Sequence, residues 1–483
     1  MFALLAGSLA QVITPDKQAE ALTKGLIGIQ ASTSGSAQMP VCPLDFRYGR
    51  PEMKTVFDEE TRLQKLLDVE AALAQAQAKV GNIKQEHADI IKKTASTRYV
   101  KLDHVREIDM KINHEITAII RALSEQCGES GKFVHVGATS NDILDTGAAL
   151  QIKDAIMIID GDLDKLKRTL AKRAKEHRDT VMLGRTHGQY ALPITLGLKL
   201  ANYALEVKRH QLRLKECSPR ILIGKMSGAV GTGAGFGPKA IEIQKLAMEQ
   251  LGLGAEEGPT QIVARDRYVE MMSVLANIAT SVEKFATEVR NLQRGEINEV
   301  SEFFDETVQV GSSTMAHKKN PVTAENVCGL TRIVRGFMTP AYESAILWHE
   351  RDLTNSSAER FFVPHSFILL DDVLAKMDKL FATLVINTAQ IDKNLTRAGS
   401  VIMAESVLLA LVSKGMGRQE AHELIRKCSM DSQRACEDFK TYLMGNKEVR
   451  SLLSEKEIDA SLDPRAYLGS AGATVDNILK IVS

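Results

Sequence analysis

Residues 268–294 read YVEMMSVLANIATSVEKFATEVRNLQR. The stretch holds neither glycine nor proline, and Val269, Met272, Leu275, Ile278, Val282, Phe285, Val289 and Leu292 recur in steps of three and four. That spacing puts one apolar seam along one face of a helix, to be buried against other helices. At 1.5 Å per residue the stretch predicts a rod of about 40 Å. A rod of that length cannot bury its seam inside a small globule. The pattern therefore predicts an extended helical bundle, shared between copies of the chain.

The same spacing recurs outward from this segment. Ile152, Ile156, Ile159, Leu163, Leu166 and Leu170 form a second seam, and further periodic stretches lie at 194–217, 327–347, 366–390 and 401–412. The 483-residue chain has 12 prolines, none of them between Pro51 and Pro193, so long helices are unbroken there. Strand-like alternation is scarce and the fold class is all-α. Core packing is the ordinary role of every seam residue.

Composition narrows the function classes. Lys plus Arg and Asp plus Glu are 61 each, which leaves no net field for nucleic acid or anionic lipid. No apolar run is long enough to span a membrane. Cysteines 42, 127, 217, 328, 428 and 436 form neither a CxxC pair nor a zinc pattern. They read as free thiols of a reducing, cytoplasmic compartment, with no metal site. The leader MFALLAGSLAQVITPDK has no cation before Lys17, unlike a secretory signal. The following ASTSGSAQ reads as a flexible linker, so residues 1–38 are expected to be a dispensable extension.

Several polar stretches interrupt the helices. GKMSGAVGTGAGFGP (224–238) matches neither dinucleotide nor P-loop spacing and reads as a turn between helices rather than a ligand loop. GRTHGQYALP (184–193) places His187 ahead of a helix expected to start at Pro193, and FVHVGATSND (133–142) places His135, Thr139 and Ser140 ahead of another. In the second case Thr139 or Ser140 could be a plain cap. KINHEITAII (111–120) puts His114 on a helix, where solvent exposure is its ordinary state. GSSTMAHKKNP (311–321) concentrates hydroxyls, lysines and an amide on one loop. Singly each is weak. Together they supply histidines, hydroxyl donors and cations suited to acid–base chemistry on a polycarboxylate.

GSSTMAHKKNP also resembles the signature loop GSSxMPxKxNP of the fumarase, aspartase and argininosuccinate lyase superfamily. Within it, GRTHG, HVGATSND, SGAVG, TQIVARDR, WHERDLTNSSAER and DFRYGRPEM resemble the adenylosuccinate lyase family, over about residues 39–480. The resemblance implies three helical domains, here 39–142, 143–394 and 395–483, with the central long-helix bundle shared in a homotetramer. It implies cleavage of adenylosuccinate to AMP and fumarate, and of SAICAR to AICAR and fumarate, with no cofactor.

By resemblance Ser312 is the general base and His187 the general acid. Ser313, Lys318, Lys319 and Asn320 of the loop, with Thr139, Ser140 and Gln261, hold the succinyl part. Asn113, His114, Glu115, His135 and Asn326 position substrate, while Arg47, Tyr48, Arg351, Ser356 and Arg360 match a phosphate site. The resemblance gathers each site from several subunits. Three positions depart from the family pattern: Ala316 replaces the signature proline, Glu115 an aspartate, and Asn326 an arginine frequent among members. Rival readings are a sister lyase, such as argininosuccinate lyase or a carboxymuconate cycloisomerase, and a catalytically silent structural relative. The sister should lack the Arg47–Tyr48 pair and the ERDLTNSSAER segment; the silent relative should have lost Ser312, His187 or Lys318.

Overall fold

The computed structural model describes residues 41–315 and 317–483; the expected extension over residues 1–38 and the substituted Ala316 lie outside them. Two compact units divide after Arg47. The first contains the short helix Pro43–Phe46, closed by Arg47, whose side chain is exposed. All that follows concerns the second unit, Tyr48–Ser483.

That unit is helical around five long elements, Ser140–Glu176, Leu196–Ile221, Asp266–Leu292, Val322–Gly336 and Thr354–Thr383, which pack along one another. The opening segment forms a 27-residue helix, Asp266–Leu292, and seven of its eight seam residues are buried. The seam from Ile152 to Leu170 is buried throughout on the 37-residue helix Ser140–Glu176. Each such Leu or Ile contributes roughly 1.5–3 kcal/mol by leaving water. The closing helix Ala471–Val482 returns to pack on two of the long helices, where Asp476 accepts from Arg178 Nε and Nη2 at 2.9 and 2.8 Å.

Two further cores flank the bundle. One is built by residues 63–150 and also takes in Met226, Phe236, Ile243, Ala247 and Met248; the other runs from Val407 to Ile458. Among the described residues no single helix is long and apolar enough to cross a membrane.

Several sequence expectations need correcting. Pro193 starts no helix. It lies in the antiparallel hairpin Val181–Thr186 / Gln189–Thr195, and the helix begins at Leu196, capped by Thr195, whose hydroxyl accepts from the Leu198 amide at 3.1 Å. The predicted stretch 327–347 is broken after Gly336, and a six-residue helix, Met338–Glu343, follows. The stretch 366–390 begins earlier and ends earlier, as Thr354–Thr383, carrying Pro364 inside it. Polar residues before Ser366 masked its first turns. His114 is not within a helix but caps one, Glu115–Gln126.

Candidate active site

A cleft of about 450 Å³ opens between the long helices. Of the residues singled out in the sequence, Glu115, Arg351, Ser356 and Arg360 line it; Arg62, Asn141, Asp145, Arg265 and Glu359 line it too and were not foreseen. Arg265 forms the floor. Its Nη1 and Nη2 reach Asp145 at 2.7 and 2.9 Å, and its Nε reaches Glu359 at 2.7 Å. Burial alone would weaken this cation, but the two carboxylates more than offset it and raise its pKa.

Arg351 stands differently. Its Nη1 donates to Gln261 Oε1 at 3.1 Å, its buried Nε has no partner, and among the described residues no carboxylate pairs with it. Burial, with the Arg265 cation nearby, pulls its pKa below the usual guanidinium range, although neighbouring carboxylates oppose this. A buried N–H without a partner is costly, so this group is poised to accept an anion. Arg360 is exposed and reaches Glu115 Oε2 at 3.2 Å, while Arg62 pairs with Oε1 of the same carboxylate. Burial favours the neutral form of Glu115, but the two arginines outweigh it and lower its pKa. The glutamate at this departure position therefore ties two cleft arginines together.

Tyr48 and Asn326 meet at a second place. Lys376 lies over the Tyr48 ring, 5.2 Å from its centroid, and donates to Asn326 Oδ1 at 2.7 Å and Asp372 Oδ2 at 2.6 Å. Next to Tyr48, Arg50 binds both Asp162 and Asp371, with its Nε 3.0 Å from the latter.

Thr139 caps the helix Ser140–Glu176, and its backbone N–H donates to Asp142 Oδ2 at 2.9 Å. Fully buried Asp142 also binds the ammonium of fully buried Lys225 and accepts the Ser227 and Gly228 amides at 2.9 and 3.0 Å. The glycine-rich stretch is thus clipped to a helix start, as the turn reading expects. Just upstream, His135 has a left-handed backbone, φ 65°. Its Nδ1–H donates to Glu70 Oε1 at 2.6 Å. Burial works against the imidazolium, but Glu70, with Asp142 further off, overrides it and raises the pKa. His114 Nδ1 accepts from the Thr117 amide and hydroxyl at 3.2 and 3.0 Å, beside exposed Asn113, whose φ is 50°.

His187 sits at a hairpin tip. Thr186 pairs with Gln189, leaving His187 and Gly188 as a two-residue turn with φ 55° and 73°. Both positive values are what such a turn requires to match the strand twist. The ring is therefore held out to solvent, while Arg185 anchors the strand through Glu299 at 2.6 and 2.9 Å.

The signature loop closes on itself. Asn320 Nδ2 donates to Gly311 O at 3.1 Å, and a Cβ on Gly311 would lie 2.1 Å from Lys318 O. Glycine is thus required there for close approach. Ser312 Oγ accepts the Thr314 and Met315 amides at 3.3 and 3.1 Å. Lys319 pairs with Glu306, while Lys318 and Ser313 are exposed. None of His187, Ser312 and Thr139 lines the cleft.

A family model described as lyase matches residues 45–336, and one described as adenylosuccinate lyase C-terminus matches 400–478. The chain is 50% identical to an adenylosuccinate lyase of Pyrococcus abyssi over 92% of its own length and 98% of the relative's. It is 39% identical to that of Bacillus subtilis, over 87% of this chain and 96% of the relative. Among solved structures, a fumarate lyase from Mesorhizobium superposes with TM-score 0.82 at 32% identity, covering 89% of this chain and 98% of that one. A 3-carboxy-cis,cis-muconate lactonizing enzyme from Pseudomonas putida gives 0.81 at 32%, covering 90% and 97%.

Proposed function

The chain belongs to the adenylosuccinate lyase family, and on that premise we propose that it eliminates fumarate from adenylosuccinate, releasing AMP, and from SAICAR, releasing AICAR. In each case the Cβ–H and Cα–N bonds of the succinyl group break and the Cα=Cβ bond of fumarate forms. Ser312 takes the Cβ proton. Its Oγ already accepts two backbone N–H groups, and the same donors stabilise the alkoxide that must act as base. His187, as general acid, gives a proton to the departing nitrogen. Lys318 and Asn320, with Ser313, Thr139, Ser140 and Gln261, hold the carboxylate on which negative charge builds.

The observation that carries the reading is Arg351. A half-buried guanidinium with an unpartnered Nε, beside Ser356 and Arg360 in one cleft, suits a phosphate monoester. Fumarate, aspartate and carboxymuconate carry no phosphate, so a phosphate site argues for the nucleotide substrates over those of the sister enzymes. The sequence favours the same choice, with 50% identity to an adenylosuccinate lyase against 32% to the muconate enzyme.

We place the acid, the base and the cleft of each site on different subunits of a homotetramer, within the three-domain division expected from the resemblance. Support comes from exposed Ile346, Trp348, Leu353 and Phe361, apolar side chains in the segment that also supplies Arg351 and Arg360. Cys127, Cys217, Cys328, Cys428 and Cys436, all free thiols, fit a cytoplasmic setting.

The test is an absorbance assay of purified protein with adenylosuccinate. Equal amounts of AMP and fumarate are expected, and Ser312→Ala should lower kcat by several orders of magnitude. Turnover of argininosuccinate or a carboxymuconate instead would move the chain to a sister activity.

A further inference from the structure

Glu70 is an unusual side chain for its place. It lies on the helix Glu59–Lys79, on the face that also buries Leu63, Leu66, Leu67 and Leu73, and only 1% of it is exposed. A buried carboxylate is stable only when its charge is matched. Its Oε1 accepts from His135 Nδ1 at 2.6 Å, and its buried Oε2 has no partner. Among the described residues, all the hydrogen bonding of this carboxylate thus goes to one imidazole.

The histidine end is fixed as firmly. His135 takes a left-handed backbone; its carbonyl accepts the Ala138 amide at 3.2 Å, and the next carbonyl, Val136 O, accepts Gln77 Nε2 at 2.9 Å. Gln77 lies seven residues after Glu70, on the same buried face. The ring is partly exposed, and among the described residues its Nε2 has no hydrogen-bond partner. The other charge acting on it is Asp142, already neutralised by buried Lys225.

We infer that Glu70 is a positioning residue: by gripping Nδ1 of His135 it orients the ring and makes Nε2–H a charged donor for an anionic group of the substrate. The inference rests on the assignment of His135 to the substrate site. A neutral imidazole with Nδ1 as its donor would leave Nε2 an acceptor and repel a carboxylate or phosphate oxygen. With Glu70 ionised and the ring protonated, both nitrogens donate, and a dianion meets a cation whose counter-charge is hidden behind it.

The experiment follows the ring itself. His135 is titrated in the full-length protein by NMR of ¹³Cε1-labelled histidine, its signal assigned by its loss in His135→Gln. In the unaltered chain it should titrate above the ordinary histidine value. In Glu70→Gln, which keeps the shape of the side chain, its pKa should fall, because the carboxylate that raises it is gone, and the alkaline limb of kcat/KM should move to lower pH in parallel. The conservative Glu70→Asp should restore part of both. An ordinary or low pKa in the unaltered chain overturns the inference even if Glu70→Gln does not fold. An unchanged pKa in a folded Glu70→Gln overturns it equally. A pKa that falls while the kcat/KM profile stays still overturns it in another way: the pair would be real, and His135 would lie outside the substrate site.

Discussion

Arg351→Met isolates what the cleft does for a phosphate. The change removes the guanidinium and keeps most of the apolar stem. Among the described residues Arg351 donates only to Gln261 and has no ion pair. Its charge is disfavoured by burial and by Arg265. Losing it should therefore leave stability unchanged or raise it, by up to about 1 kcal/mol. Catalysis should respond in the opposite direction. Two charge-assisted hydrogen bonds to a phosphate, at about 1.5–3 kcal/mol each, amount to roughly 3–6 kcal/mol, or about a 10²- to 10⁴-fold loss in kcat/KM. Part should appear in kcat, because binding energy at the remote phosphate helps hold the succinyl end in place. The assay is steady-state kinetics on adenylosuccinate beside a urea melt of the same preparation. Unchanged kinetics would refute the phosphate assignment. A loss of activity matched by an equal loss of stability would show that Arg351 is structural.

Three further outcomes are expected. Asp162, buried beside Asp371, is held at a pKa of about 6, against 3.8 ordinarily, because burial and its neighbour disfavour its charge more than Arg50 restores it. A carboxyl raised in this way adds stability that is fully present below about pH 3.8 and is lost as pH rises through 6. Asp162→Asn cannot ionise, so urea melts should show the variant gaining on the parent between pH 4 and 7, by on the order of 2–3 kcal/mol; a pH-independent difference would contradict this. Gly311→Ala must force the loop away from Lys318 O, so kcat should fall at least tenfold with the melting temperature unmoved, and normal turnover would show that the closed loop is not the working one. Among the described residues no set of His, Cys, Asp and Glu is placed to hold a metal ion, and activity should survive exhaustive EDTA; a loss reversed by a divalent ion would reveal a missed site.

What the sequence disclosed and what it hid follow from the physics of each signal. The seams over 152–170 and 268–294 were legible because a helix buried along its length must repeat apolar residues at its own period. The hairpin carrying His187 was not, because a two-residue turn between short strands leaves only His187–Gly188, and Pro193 resembles a helix start. Ser312 and Arg351 stood out through motif resemblance. Arg62 and Asp145, on helices, and Arg265, just ahead of the helix Asp266–Leu292, did not, because a charged side chain is ordinarily solvated. Glu70 had a signal of its own. It interrupts the run Leu63, Leu66, Leu67, Leu73 on a face that buries everything else, and a lone carboxylate in a seam requires a partner. The partner, His135, is remote in sequence, so only the fold could supply it.

The central claim is that acid and base reach one substrate from different chains. His187 lies on a hairpin tip and Ser312 on a separate loop, and neither lines the cleft of its own chain. Ser312→Ala and His187→Gln should each be inactive alone. Mixed in equal amounts after reversible dissociation, they form hybrids in which some sites draw an intact serine and an intact histidine from different subunits. Random assembly should restore roughly a quarter of wild-type activity, since each residue is intact with a probability of about one half. Turnover is measured beside native mass spectrometry of the same sample. Recovery near that level is the predicted result; hybrids that form and remain as inactive as their parents would contradict the shared site.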